Sequence, residues 1–311
     1  MRARPTSGFA RSVNTPNVDL DKLCDWIEAS ICFSDDDAIS ISSVADFLVE
    51  NEVYHDFSFA REMVQDAWAE LKRRGHLIQQ YCIYEIDEPW IRRRSDWRNY
   101  SLQAFCVLLS LAPIYDWWKV EFGSNYVEQG DLFEEVVEEA ISNNFGGWST
   151  YRTGWSTMNQ LRFPTVLTEV SRRLNEQVLN IGKWDEDRAK DMGLDMLWHR
   201  PFADRRAGTP IYLLQCASGD NWKKKLKTPD IAVWRDLIHF TTPPQRAVAI
   251  PFALLEGEFY QACIKVEGII LERTRLLGAF NLSDKRPSSE LNSRITKWTE
   301  ERVSTLRRRS S

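Results

Sequence analysis

Apolar residues recur along the first half of this chain at helical intervals, and polar punctuation separates the runs. Leu20, Leu23, Ile27 and Ile31 are three or four residues apart, which predicts an amphipathic helix. Ser43–Val49 predicts a second helix and Phe59–Arg74 a third, with Gly75 as its stop. From His76 to Ile86 the pattern reads as strands. The apolar run Phe105–Ala112, followed by Tyr115-Asp-Trp-Trp118, predicts a buried connecting helix and a packed aromatic corner. Helical spacing returns with Leu132, Phe133, Val136, Val137, Ala140 and Ile141, where Asp131 is a candidate N-cap and Glu134 and Glu138 share one face. Asn143–Trp155 is rich in glycine and aromatic residues and reads as a loop on which bases could stack or a partner could dock. Phe163–Val178 predicts a further helix, and Trp184–Asp191 a charged approach to the strand that carries Asp195.

Beyond residue 192 the pattern becomes that of strands. Gly193-Leu-Asp-Met-Leu-Trp198 and Ile211-Tyr-Leu-Leu-Gln-Cys216 read as a buried hairpin, with Arg205-Arg-Ala-Gly208 as its turn and a lysine-bearing helix after it. Arg246–Phe252 has the composition of a buried parallel strand, and Ile264–Leu271 supplies a last one. A helix from Ser288 to Leu306 lies in a polar, basic tail that ends in Arg307-Arg-Arg309. This alternation predicts an α/β fold, a mixed central β-sheet flanked by helices, with a helical N-terminal domain. The expected organisation is a disordered leader over 1–18, an N-terminal domain over 19–95, a connecting helical segment over 96–127, a sheet-bearing core over 128–280 and a basic C-terminal tail over 281–311. The order helix, helix, helix, strand over 19–95 resembles a winged-helix domain. That resemblance implies a third helix able to enter a major groove, with Arg61, Gln65, Lys72 and Arg73 as its exposed candidates. The acidic balance of the segment, with Asp35-Asp-Asp37 before the second helix, favours protein contact or dimerisation over DNA reading.

Two polar residues stand where a purely structural sheet prefers aliphatic ones. Asp195 lies inside one apolar strand run and Gln215 ends the next, so a bound cation between them is the chemical expectation, and Mg²⁺ favours such oxygen donors. The helix Gly130-Asp-Leu-Phe-Glu134, the Gly193-Leu-Asp195 strand and the following strand with Gln215 together resemble the PD-(D/E)XK restriction-endonuclease-like nuclease superfamily, over roughly residues 128–275. The superfamily's last motif ends in a lysine two residues after the acidic or amide ligand, and Ala217 stands there in this chain. Lys225, three residues after Trp222 and thus on its inward face, is the expected replacement. The resemblance implies a metal-dependent endodeoxyribonuclease in which Glu134, Asp195 and Gln215 hold Mg²⁺ or Mn²⁺ and Lys225 orients the water or neutralises the transition state. It also implies a bacterial restriction or phage-defence effector, with an ATPase or other defence-complex subunit as partner. The alternative is a non-catalytic adaptor or nucleic-acid-binding subunit built on a decayed nuclease fold.

Net charge is −5, which is unusual for a DNA-binding protein, but the charge is unevenly spread. Residues 1–130 carry 13 basic and 21 acidic side chains, and residues 131–311 carry 27 basic and 24 acidic ones. The expected nuclease half is therefore the more positive. Arg200, Arg205, Arg206, Lys223 and Lys224 are the expected phosphate-facing residues around an acidic metal site. The six cysteines lie among apolar neighbours with no Cys-x-x-Cys spacing, which predicts reduced thiols, and no histidine is placed to activate Cys216 as a nucleophile. There is no P-loop, no Gly-x-Gly-x-x-Gly and no internal repeat, so nucleotide hydrolysis by this chain is not expected. No apolar run approaches the roughly 20 residues that span a bilayer. The start, Met1-Arg-Ala-Arg-Pro-Thr-Ser7, lacks the apolar core of a signal peptide, so a cytoplasmic protein without a membrane partner is expected. Cutting both strands of a duplex would call for two active sites, so a homo-oligomer is expected as well.

Overall fold

The computed structural model of the chain describes residues 19–123, 126–153, 163–179, 192–283 and 286–308. The expectations for the 1–18 leader, for Gly154 and Trp155, for Trp184–Asp191 and for Arg309 fall outside the described residues. The protein is mixed α/β and forms two compact units. One comprises Met1–Ser124, Pro251–Leu255 and Arg273–Ser311, and the other Asn125–Ile250 and Glu256–Glu272.

The first unit begins with α1 (Leu20–Phe33), buried along nearly its whole length, followed by β1 (Ala38–Ser40) and α2 (Ile41–Glu50). Ser40 and Ser43 close a reciprocal capping box that fixes the start of α2. Helix α3 (Phe57–Ile78) is capped by the Asp56 carboxylate, which accepts from the Phe59 N–H at 2.7 Å. Gly75 does not stop it. Gly75 lies within the helix, against Tyr84 and Cys82, and the helix ends where Gln79 takes a positive φ of 56°. The strands expected from His76 onward accordingly shorten to β2 (Tyr84–Asp87) and β3 (Trp90–Arg93), antiparallel in a sheet of order β1-β3-β2. Helix α4 (Ser101–Leu111) is buried on every side, as an apolar helix must be, and α5 (Trp118–Phe122) follows it.

The second unit opens with α6 (Val127–Asn144), which begins a turn before Asp131, so that residue lies inside the helix and does not cap it. The glycine- and aromatic-rich segment expected to be a loop contains β4 (Ser149–Arg152). Then come α7 (Phe163–Leu174), β5 (Gln177–Val178), β6 (Met196–His199) and β7 (Ile211–Cys216). A 3-10 turn spans Asp220–Lys225, and α8 (Ile231–Leu237), β8 (Ile238–His239), β9 (Gln245–Ala249), α9 (Glu256–Val266) and β10 (Gly268–Leu271) complete the unit. Five strands make one mixed sheet in the order β10-β9-β7-β6-β4. The β4–β6 and β6–β7 pairs are antiparallel, whereas the β7–β9 and β9–β10 pairs are parallel, as expected for the strand within Arg246–Phe252. Phe163, Val166 and Val170 of α7 and Trp234 and Leu237 of α8 pack with Leu197, Ile211 and Leu213 of the sheet into one apolar core.

The C-terminal residues do not form a loose tail. Helices α10 (Arg273–Ser283) and α11 (Ser289–Arg308) belong to the first unit, where α11 packs on α4 and the Trp298 and Phe105 rings meet edge to face at 5.0 Å. Leu291, Ile295, Trp298, Val303 and Leu306 form the buried stripe that makes this packing obligatory. No helix among the described residues is long and apolar enough to cross a membrane.

Inside the first unit, two fully buried guanidinium groups join α1, α3 and α10. Arg74 donates to Asp25 at 2.7 Å and to Glu70 at 2.9 Å. Arg273 donates to Glu28 at 3.0 Å, to Ser110 at 3.0 Å and to Asp25. Gln103 donates to Glu28 at 2.6 Å and accepts from the Ile83 N–H at 2.7 Å. Burial pushes the Asp25 carboxyl up, but Arg273 and Arg74 outweigh burial and hold it below its ordinary value. A carboxyl lowered by folding adds stability above its unfolded value, and that stability is lost as pH falls. Removing one partner leaves the others buried and uncompensated. Asp25→Ala is therefore expected to destabilise the first unit by about 3–5 kcal/mol in urea unfolding. Asp25→Asn should flatten the loss of stability below about pH 4, and an unchanged acid slope in that variant would rule out this role.

Candidate active site

The β6–β7 pairing decides where the polar residues go. Met196 stands opposite Leu214 and His199 opposite Ile211, so one further step places Asp195 opposite Gln215. The Asp195 N–H donates to the Leu214 carbonyl at 3.0 Å, which extends the ladder by that step. On the other side, the Thr153 N–H donates to the Asp195 carbonyl at 3.0 Å and the Thr153 hydroxyl to the Leu194 carbonyl at 2.7 Å. With its backbone held from both neighbouring strands, Asp195 presents one carboxylate oxygen to two donors. These are the Gln215 side-chain amide and, at 2.7 Å, the Cys216 N–H.

Asp195 carries little compensating charge for its burial. Burial raises its carboxyl from 3.8 to about 7, and the Cys216 N–H, Lys225 and the Gln215 amide oppose that rise only in part. Lys225 comes from the 3-10 turn that follows β7, anchored by the buried Trp222. Asp195 and Gln215 thus meet at the end of one strand pair, with Lys225 within electrostatic reach of the carboxyl. Gly193 is part of the same arrangement. It has φ +59°, and a Cβ there would lie 1.8 Å from Thr228 Cγ2 and 2.8 Å from Gln215 Oε1, so no other residue fits beside the amide.

Glu134, the fourth expected catalytic residue, approaches from α6 and is buried. Its carboxylate pairs with Arg152 Nε at 3.4 Å, and the same guanidinium holds Glu135 at 3.1 Å and also Asp131. Glu138 shares the face of Glu134, as its spacing requires, and accepts from the Thr150 hydroxyl at 2.7 Å. Arg152 was not expected from the sequence. Its signal is the quartet Ser149-Thr-Tyr-Arg152, rich in strand-forming residues and preceded by Gly146-Gly147. The Cys216 thiol lies within electrostatic reach of all four charged groups. Burial first, then Asp195 and Glu134, push it well above its ordinary value, and Arg152 and Lys225 oppose them. Burial and the neighbouring carboxylates thus favour the neutral thiol.

Among the described residues, no three His, Cys, Asp or Glu side chains are grouped to hold a metal by themselves. An ion here would take Glu134, Asp195 and the Gln215 amide, with backbone or water oxygens completing its shell. Such all-oxygen donors suit Mg²⁺ or Mn²⁺, and the undercompensated Asp195 is the observation that fits a cation. The Gln215 amide turns its nitrogen to Asp195 and its oxygen to Gly193, so oxygen donation requires rotation about its last side-chain bond.

The expected phosphate-facing residues divide into two groups. Lys223 and Lys224 are exposed on the same short turn as Lys225, with Lys223 paired to Glu258 at 2.6 Å. Arg200, Arg205 and Arg206 are also exposed, and Arg205–Gly208 does lie in the connection between β6 and β7. That connection is at the opposite end of the ladder from Asp195, about 13 Å away at the rise of a strand. The aromatic residues after α6 are engaged internally. Trp198 stacks on Tyr212 at 4.7 Å and meets Trp148 at 4.8 Å and Phe145 at 4.9 Å.

In comparisons with known proteins, no family model, no curated protein and no solved structure matches this chain.

A carboxyl raised by folding takes up protons in the folded state, so its contribution weakens stability as pH rises from its unfolded to its folded value. At about 1.4 kcal/mol per unit of displacement, Asp195→Asn is expected to stabilise the metal-free protein by on the order of 4 kcal/mol near pH 8. The gain should shrink toward pH 5, and melting curves showing a pH-independent difference would contradict the assignment. Gly193→Ala should cost at least about 1–3 kcal/mol from its positive φ alone, read by the same melting curves.

Proposed function

We propose that the unit of Asn125–Ile250 and Glu256–Glu272 is a metal-dependent nuclease that hydrolyses phosphodiester bonds in DNA. The observation that carries this reading is Asp195, a carboxylate enclosed at the end of a strand pair, tied to Gln215 and facing Lys225 with too little positive charge around it. A glutamate helix, an aspartate beside a strand and an amide on the next strand occur here in the order of the PD-(D/E)XK resemblance. Ala217, buried at the end of β7, stands where that pattern has its lysine, and Lys225 supplies the cation from the turn beyond.

When bound, a divalent ion lowers the pKa of a water and offsets charge that builds on the phosphorane. Asp195, Glu134 and the Gln215 amide would hold it. Lys225 places a positive charge beside the reacting phosphate, where a preorganised charge counts most. Lys223 and Lys224, on the same turn, suit contacts to flanking phosphates. Burial holds the Asp195 carboxyl up, so a cation bound there competes with its proton and binding strengthens as pH rises.

The first unit has the order helix, strand, helix, helix, strand, strand with a β1-β3-β2 sheet, which supports a winged-helix reading. Its α3 surface favours protein contact. Arg61 and Gln65 are exposed beside Glu62 and Asp66, Lys72 faces Glu88 at 3.8 Å, and Arg73 is turned toward Glu70 and the Leu254 carbonyl. An effector of a restriction or phage-defence system, with an ATPase or other subunit, or a second copy of the chain, as its partner, is the corresponding setting.

One observation favours the alternative of a non-catalytic adaptor. Arg152 already pairs with Asp131, Glu134 and Glu135, so Glu134 has a cationic partner without any metal ion. Plasmid cleavage in Mg²⁺ or Mn²⁺ separates the two. Cleavage by the wild type should rise through about pH 7 and fall by on the order of 10²-fold or more in Asp195→Ala and in Lys225→Ala. If the wild type cleaves neither duplex nor single-stranded DNA and binds neither ion by calorimetry, the adaptor reading takes its place.

A further inference from the structure

Between β6 and β7, the consecutive residues Arg200-Pro-Phe-Ala-Asp-Arg-Arg206 are all exposed. The neck of this loop is fixed. The Arg200 N–H donates to the Pro210 carbonyl at 3.1 Å, and the Gly208 N–H donates to the Glu176 carboxylate at 3.4 Å, which also accepts from the Thr241 N–H at 3.1 Å. At the tip the Arg205 N–H donates to the Phe202 carbonyl at 3.0 Å, and Arg205 takes a φ of 55°. A loop closed at neck and tip presents its side chains at little further ordering cost. What it presents is a ring among guanidinium groups. Phe202 is 53% exposed. Asp204, the loop's single carboxylate, is engaged locally, accepting from the Arg206 N–H at 3.1 Å and standing 3.8 Å from the Arg206 guanidinium. Among the described residues neither Arg200 nor Arg205 has a carboxylate partner, although acidic side chains outnumber basic ones by 45 to 40 in the chain. Uncompensated guanidinium groups draw an anion to the loop.

We propose that this loop binds single-stranded nucleic acid, with an unpaired base stacked on Phe202 and phosphates on Arg200 and Arg205. A base inside a duplex has both faces covered by its neighbours, so a ring on a projecting loop stacks only on an unpaired one. Planar guanidinium forks match phosphate oxygens. A strand that alternates base and phosphate engages the ring and the forks together, whereas an acidic peptide engages the forks alone. The proposal rests on the reading of the second unit as directed at nucleic acid, and holds whether or not that unit cleaves. With the loop about 13 Å from Asp195 along the ladder, a strand that reaches both spans about four nucleotides at stacked spacing.

The test is fluorescence anisotropy on the full chain in excess EDTA, with a labelled oligothymidylate of about 20 nucleotides as probe. A duplex and an abasic strand of the same length, and polyglutamate, serve as competitors. The probe should bind, and unlabelled oligothymidylate should displace it better than any of the three. Phe202→Ala should weaken binding on the order of tenfold and leave its salt dependence unchanged. Arg200→Gln and Arg205→Gln should each lower the slope of log affinity against log salt by about 0.7. All three positions are exposed, and unchanged melting curves verify that the fold is kept. Absence of binding at low salt would overturn the proposal, as would wild-type affinity in Phe202→Ala or equal competition by the duplex or the abasic strand. Equal competition by polyglutamate would assign the loop to an acidic protein instead. Binding without cleavage in Mg²⁺ or Mn²⁺ would remove the nuclease reading and leave this one standing, whereas cleavage with every loop variant at wild-type affinity would do the reverse.

Discussion

The site depends on the register of one antiparallel strand pair. With Met196 opposite Leu214, Asp195 and Gln215 fall side by side, and a slip of one residue would turn both to the other face. β4 and β9 hold that register from either flank, and the apolar core under β6 and β7 penalises any alternative. The carboxylate is thereby fixed where solvation is poor before any ligand arrives. Its displaced titration follows from the sheet's geometry.

Much of this was legible because two polar side chains interrupt apolar strands. An aspartate between Leu194 and Met196, and a glutamine after Leu214, each bring a polar side chain that burial obliges to find a hydrogen-bond partner. Helices with clean apolar stripes, such as α1, α7 and α11, were readable for a related reason, since their period is a local property. Arg152 was not readable. It gains its meaning only when β4 pairs with β6 and faces α6, and no local pattern announces that pairing.

The buried ion network of the first unit was hidden for the same cause. Asp25, Glu28 and Arg74 sit on helices whose charged residues look like a solvated face, and only α10 arriving from the far end of the chain encloses them. Gly75 misled in the opposite direction. A glycine in a helix pattern suggests a stop, yet the helix runs through it to Ile78 and ends at the positive φ of Gln79. The basic C-terminal segment likewise has an apolar stripe, diluted by charge, that commits it to packing on α4.

The return of Arg273 to Asp25 and Glu28 has a consequence for synthesis. These partners are separated by 248 and 245 residues, so the first unit has both ends of its charge network only once Arg273 has been made. At ribosomal speeds that interval is on the order of 10–50 s, during which α1 carries carboxylates that cannot yet be enclosed. The second unit, whose last strand ends at Leu271, has its whole sequence translated before Arg273 appears. The chain therefore matures out of order, with its middle able to fold while its beginning stays open to chaperones.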